Sequence, residues 1–167
     1  MNQTPFTIRR QEPTDAADLH DVYAQPQVIW GTTMLPHPSL HRWQQAVEEP
    51  PGMTRLVACT DDRVVGNLAL TIAASPRRRH CAEVAMAVHD QWQGKGCGYA
   101  LLSQALDLAD NWLHLQRVEL QVYTDNDAGV RLYERCGFQV EGTLRGYAFR
   151  QGAMADVYAM ARLRLAT

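Results

Sequence analysis

Gln93-Gly94-Lys95-Gly96-Cys97-Gly98-Tyr99 is the stretch on which the reading of this chain turns. Three glycines stand at alternate positions, and glycine takes backbone angles of either sign and lets a ligand approach the main chain. Before the loop, Cys81 to His89 reads as a strand. After it, Leu102, Leu106, Ala109 and Leu113 recur at three- and four-residue steps, the period of an amphipathic helix. Amides at such a helix start, with the helix dipole behind them, suit an anion, and a diphosphate is the natural guest. A Walker loop needs Ser or Thr after its lysine, and Gly96 follows Lys95. A dinucleotide fingerprint needs a third glycine where Tyr99 stands. The pattern [QR]xxGx[GA] fits Gln93, Gly96 and Gly98. Taken alone, the loop also fits a glycine-rich connection that binds nothing.

Twenty-eight residues after Gly98 comes the second informative stretch, Asn126-Asp127-Ala128-Gly129-Val130-Arg131-Leu132-Tyr133-Glu134-Arg135-Cys136-Gly137-Phe138. Asn126 is a good N-cap for a short helix and Gly137 a good left-handed stop. Tyr133, on that helix, reads by itself as a buried aromatic with one hydrogen bond.

Around these segments the elements alternate in type. Phe6 to Arg10 reads as a strand, and Pro13-Thr14 opens a helix with Asp15 and Asp18 in its first turn. Gln25 to Pro38, with three prolines and a glycine, reads as a loop. Ser39 caps a second helix that ends by Pro50-Pro51-Gly52. Thr54 to Thr60 and Arg63 to Ala73 form a hairpin about Asp61-Asp62. Val118, Leu120 and Val122 alternate as a strand, and Phe138 to Glu141 and Ala155 to Leu163 close the chain as two more. The order β-α-α-β-β-β-α-β-α-β-β is an α+β layout: one mixed, mostly antiparallel central sheet flanked by helices.

Composition excludes several classes. The 167 residues suit a single domain over 1–167. Sixteen basic and eighteen acidic residues give a net charge of -2, which supplies neither the basic excess of a non-specific nucleic-acid binder nor a polybasic membrane anchor. No apolar run approaches the ~20 residues that span a bilayer. Met1-Asn2-Gln3-Thr4-Pro5 lacks the pattern of a signal peptide, so a cytoplasmic location is expected. Cys59, Cys81, Cys97 and Cys136 form no CxxC pair and read as scattered reduced thiols rather than metal ligands. Exposed edge strands of such a sheet offer a homodimer contact.

Together the two segments resemble the GNAT superfamily of acyl-CoA-dependent N-acetyltransferases, over nearly the whole chain. The resemblance implies a three-layer fold, acetyl-CoA as co-substrate, a small-molecule amine as acceptor and no metal. Gln93, Gly94, Lys95, Gly96, Cys97, Gly98 and Tyr99 look like that family's pyrophosphate loop. Ala87, Val88 and His89 at the strand end would bond the pantetheine arm. Asn126 to Phe138 looks like the second family motif, NxxAxxxYxxxGF, with Gly129 in the alanine position. Asn126, Gly129 and Tyr133 are thus implied at the CoA site.

The reaction implied moves an acetyl group from a thioester to a neutral amine. Tyr133 would donate to the departing thiolate; ordinary values near 10 and 8.5 make full proton transfer uphill by roughly 2 kcal/mol. Glu83, mid-strand among apolar neighbours, is the first candidate base, because a buried carboxylate there must be paired or raised in pKa. A structural ion pair with the Arg77 to Arg79 turn, or a side chain that points to solvent, is its alternative, and Glu119 and His89 are lesser candidates. Cys97 at a helix start is a thiol whose pKa the dipole can lower. Pro36-His37-Pro38, Asp110-Asn111-Trp112, Tyr147 and Gly152 to Met160 resemble bacterial enzymes that acetylate free L-amino acids such as phenylalanine and methionine. Arg78, Arg79 and His80 then become candidates to grip the substrate carboxylate. Trp30, Leu35 and His37, with Met34, would hold its side chain, and Tyr147 would close the site. A protein N-terminus, an aminoacyl nucleotide, a polyamine, or an acyl-CoA sensor without catalysis stay open as alternatives.

Overall fold

The computed structural model describes residues 6–45 and 49–164. The segment Met1–Pro5 and the run of the second helix across 46–48 lie outside the described residues. Seven strands form one sheet: β1 (Thr7–Arg10), β2 (Met53–Thr60), β3 (Arg63–Ile72), β4 (Cys81–Val88), β5 (Arg117–Tyr123), β6 (Gln139–Arg150) and β7 (Ala153–Leu163). Their order is β1-β2-β3-β4-β5-β7-β6, and only the β4–β5 pair is parallel. The helices are α1 (Ala16–Ala24), α2 (Pro26–Gly31), α3 (Leu40–Gln45), α4 (Cys97–Asn111) and α5 (Asp127–Arg135).

Both faces of the sheet carry helices. Leu101, Leu102, Ala105, Leu106 and Ala109 of α4 bury against Leu56, Leu68, Leu70, Val84, Leu120 and Met160. Each such leucine contributes about 1.5–3 kcal/mol relative to exposure. On the other face Leu19 meets Val57, Cys59 and Val64, while Val22 and Val28 meet Ala87. The period-two alternation of β4 explains the split: Ala82 and Val84 face α4, and Ala87 faces α1 and α2.

Two tight turns set the antiparallel register. Asp61 and Asp62 both have positive φ, at 48° and 63°. That is the primed turn whose twist suits a two-residue hairpin, and aspartate tolerates it better than most residues. Gln151-Gly152 repeats the device between β6 and β7.

Three expectations need correction. The Gln25 to Pro38 stretch is not all loop, because Pro26 opens α2. Proline at the first helical position loses nothing, since that N–H has no intrahelical partner. Strand β6 runs to Arg150 rather than stopping at Glu141. It is an edge strand exposed on both faces over most of its length, with register shifts near Val140/Gly142 and Leu144/Ala148, so no apolar alternation marks it. Leu113 lies beyond α4, which ends at Asn111, and is exposed.

Candidate active site

The parallel pair is where the sheet opens. β4 and β5 are in register only at Cys81↔Arg117, Ala82↔Val118 and Glu83↔Glu119. Beyond Glu83 the two strands no longer pair, and a cleft of about 430 Å³ lies at their carboxyl ends. Its walls are Met86, Ala87 and Val88 of β4, the glycine loop, Gln27, Val28, Trp30, Gly31 and Thr32 of α2 and its end, and α5. Backbone groups on the unpaired stretch of β4 are free to bond an extended amide chain as a strand would.

The glycines of the loop have separate jobs. Gly94 and Gly96 hold φ of 71° and 89°, angles that strain any residue with a side chain, and Gly96 is the N-cap of α4. Gly98 is needed for space: a Cβ there would stand 3.0 Å from Leu132 Cδ2 and 3.4 Å from Met86 Cε. The first bond of this helix start is Ala100 N–H to Gly96 O at 3.0 Å, so the preceding amides have no intrahelical acceptor. A narrow cradle with free amides at a helix start fits a diphosphate.

On the opposite wall Asn126 Oδ1 accepts the Gly129 N–H at 3.0 Å, the N-cap expected from sequence. This fixes the amide so that Nδ2 is left to donate. Gly129 is more than a weak helix former here, because a Cβ would come within 2.9 Å of Asn126 Nδ2. Tyr133 lines the cleft, its ring edge-on to Phe138 at 5.9 Å. No hydrogen bond reaches its hydroxyl among the described residues, and burial pushes its pKa up to about 12.

Of the residues singled out from sequence, Trp30, Ala87, Val88, Gln93, Gly94, Gly96, Gly98, Tyr99, Asn126, Gly129 and Tyr133 come together on this cleft. Lys95 does not line it and rests over the Trp92 ring at 4.9 Å. His89 is buried, with Nε2 3.2 Å from Asp21 Oδ2 and Nδ1 accepting the Gln91 N–H. It caps a 3₁₀ turn over Asp90–Trp92 and is not aimed at the cleft. Cys97 is 1% exposed and packs in the core beside Gly66. Burial pushes its thiol up to about 12, the reverse of the lowering expected at a helix start.

The acceptor-side expectations fare differently. Arg78, Arg79 and His80 precede the first residue of β4, while the cleft is at its last. The seven steps between Cys81 and Val88 amount to roughly 23 Å of strand. Arg78 pairs with Glu119 at 2.6 Å, and the His80 carbonyl accepts from Gln116 and Arg117 N–H, so this turn braces the start of β5. Burial tends to raise the Glu119 carboxyl, but hydrogen bonds from Arg117 and Arg78 outweigh it and hold it below the usual range. Glu83 is exposed rather than buried, which removes the burial argument for it as base. Leu35, at 80% exposure, His37 and Tyr147 do not line the cleft.

Sequence reasoning missed Arg131 and Arg135, the cations that do line it. Arg135 lies over the Tyr99 ring at 4.5 Å. Their i, i+4 spacing on the helix facing the glycine loop was the available signal. Also missed were Gln27, Val28, Gly31 and Thr32, hidden by the loop reading of α2, and Met86.

A strand pair that parts over a glycine-cradled helix start, with a capped tyrosine helix across the gap, defines an acetyl-CoA-dependent N-acetyltransferase. The Acetyltransferase (GNAT) family profile matches residues 16–138, and the chain belongs to that family. An L-amino acid N-acetyltransferase, AaaT of Escherichia coli (strain K12), is 40% identical over 159 residues, covering 95% of this chain and 98% of its own. The crystal structure of a spermidine N-acetyltransferase from Vibrio cholerae with CoA and spermine superposes with a TM-score of 0.82 at 26% identity, covering 97% and 96% of the chains. A Salmonella typhimurium acetyltransferase structure with its cofactor acetyl-CoA gives 0.80 at 23% identity, covering 97% and 94%.

Proposed function

We propose that the acceptor is the α-amino group of a free L-amino acid, with methionine and phenylalanine as first choices. The observation that carries this reading is the 40% identity to AaaT over nearly both full chains, a span that includes α2, the loop after it and the β6–β7 hairpin. The apolar walls offered by Val28, Trp30 and Met86 agree with an apolar side chain.

When bound, acetyl-CoA supplies the acetyl thioester. Amides of the Gly94–Tyr99 loop, with Arg131 and Arg135 beside them, hold the diphosphate; Asn126 Nδ2 and the free edge of β4 orient the arm. Tyr133, kept protonated by its raised pKa, donates a hydrogen bond to the sulfur as the amine displaces it. With the phenol near 12 and a thiol near 8.5, complete proton transfer is uphill by about 5 kcal/mol. Tyr133 therefore stabilises developing charge instead of acting as a full acid. Glu83 sits on the same strand face as Ala87, four residues earlier and roughly 13 Å along the strand, so it reaches an acceptor amine only through water.

A thiol-release assay with acetyl-CoA, run against free L-amino acids, spermidine and N-terminal peptides, tests the acceptor. Saturable turnover with methionine or phenylalanine is expected. Turnover confined to spermidine or peptides overturns the amino-acid reading.

A further inference from the structure

The structure assigns a role to Arg150, the last residue of β6: we infer that it is a positioning residue that latches α2 across the cleft and thereby sets acceptor binding. Helix α2 spans the gap between the parted strands and is tied at both ends. At its start the Gln27 N–H donates to Asp90 Oδ2 at 3.1 Å, just beyond the end of β4. At its far end Arg150 Nη1 donates to the Trp30 carbonyl at 3.2 Å. The Tyr123 hydroxyl, from the end of β5, donates to the Thr32 carbonyl at 3.3 Å.

Arg150 makes this second tie more than a single hydrogen bond. Its guanidinium lies 4.1 Å from the Trp30 ring centre and 4.4 Å from that of Tyr123. Its other nitrogen, Nη2, pairs with Asp125, next to the Asn126 cap. The side chain is only 15% exposed although β6 is otherwise an exposed edge. One planar fork thus joins the helix, β5 and the residue just before the Asn126 cap of α5. Trp30, which it holds, and Thr32, which Tyr123 holds, line the cleft together with Gly31 between them. A Cβ on Gly31 would be 3.8 Å from Asn126 Nδ2, so a loosened α2 shifts the wall nearest the reacting groups.

Lysine cannot replace such a group, because a point charge neither covers two rings nor bonds two partners in one plane. Arg150 touches neither the glycine loop nor Arg131 and Arg135, which would hold the diphosphate, so its loss weakens the acceptor more than acetyl-CoA.

The test uses R150A, R150K, Y123F and D125N in the full chain, with two readouts. In hydrogen exchange of the unliganded protein, α2 amides such as Ile29, bonded to the Gln25 carbonyl at 2.9 Å, exchange about tenfold faster or more in R150A while α4 amides are unchanged. In steady-state kinetics with L-methionine, R150A raises the acceptor KM by about tenfold or more and lowers kcat, with the calorimetric Kd for acetyl-CoA within about twofold. R150K recovers only part of the loss, and Y123F and D125N shift both readouts the same way by less. Unchanged α2 exchange, equal weakening of acceptor and acetyl-CoA, or full recovery by lysine overturns the latch. Should R150A not fold, Y123F and D125N carry the same comparison. The kinetic arm rests on the amino-acid reading and the exchange arm does not: wild-type protein inert toward methionine refutes that reading, and exchange still decides the latch.

Discussion

Replacing Tyr133 by phenylalanine removes one oxygen from the wall of the cleft and little else. The hydroxyl has no hydrogen-bond partner among the described residues, and the ring keeps its edge contact with Phe138. Stability should therefore stay within about 1 kcal/mol of the parent. Catalysis is another matter. Loss of one preorganised donor at a site of developing charge typically costs about 10²–10³ in kcat. The pKa near 12 also predicts that wild-type activity shows no loss from this group as pH rises to about 10, since the phenol keeps its proton there. The assay is thiol release over a range of acetyl-CoA concentrations and pH, with calorimetric binding of acetyl-CoA in parallel. Expected is a kcat loss of about two to three decades with Kd within about twofold. A loss below about threefold, or an equal loss in kcat and acetyl-CoA affinity, refutes the donor role.

Three further outcomes follow from the same geometry. Arg131→Ala and Arg135→Ala should each weaken acetyl-CoA binding about tenfold at low ionic strength, less in high salt, measured by calorimetry. Arg78→Ala should change the acceptor KM by less than about twofold despite losing its exposed pair with Glu119, because such pairs contribute little and this one lies at the far end of β4. Cys97→Ala should flatten the alkaline limb of thermal stability. Burial raises the folded-state thiol from 9.0 to about 12, so its contribution is whole below pH 9 and is lost as pH climbs towards 12, which melting curves between pH 8 and 11 will show.

The two motifs and the elements around them were legible because their signals are local. A cap at Asn126, a stop at Gly137, left-handed glycines in the loop and a two-residue turn at Asp61-Asp62 all appear where the residue types demand them. Helix α2 was not legible, since a proline that opens a helix and one that breaks it look alike without the fold. Strand β6 hid for a related reason: as an exposed edge it needs no apolar alternation. The arginine turn misled through adjacency in sequence. Arg78 is close to β4 along the chain, but the cleft follows the end of that strand, and its length separates the two. Glu83 misled because apolar sequence neighbours on a strand point mostly to the other face. Arg150 could not be found at all, because its partners Trp30, Tyr123 and Asp125 meet only through the tertiary fold.

We propose that acetyl-CoA binds where β4 and β5 part. Amide chemical-shift mapping during an acetyl-CoA titration tests it most directly. The largest shifts are expected on Ala87–Val88, Gly94–Tyr99 and Asn126–Gly129, with the Arg77–His80 turn unmoved. Shifts centred on Arg77–His80, or on the β6–β7 hairpin, would contradict it.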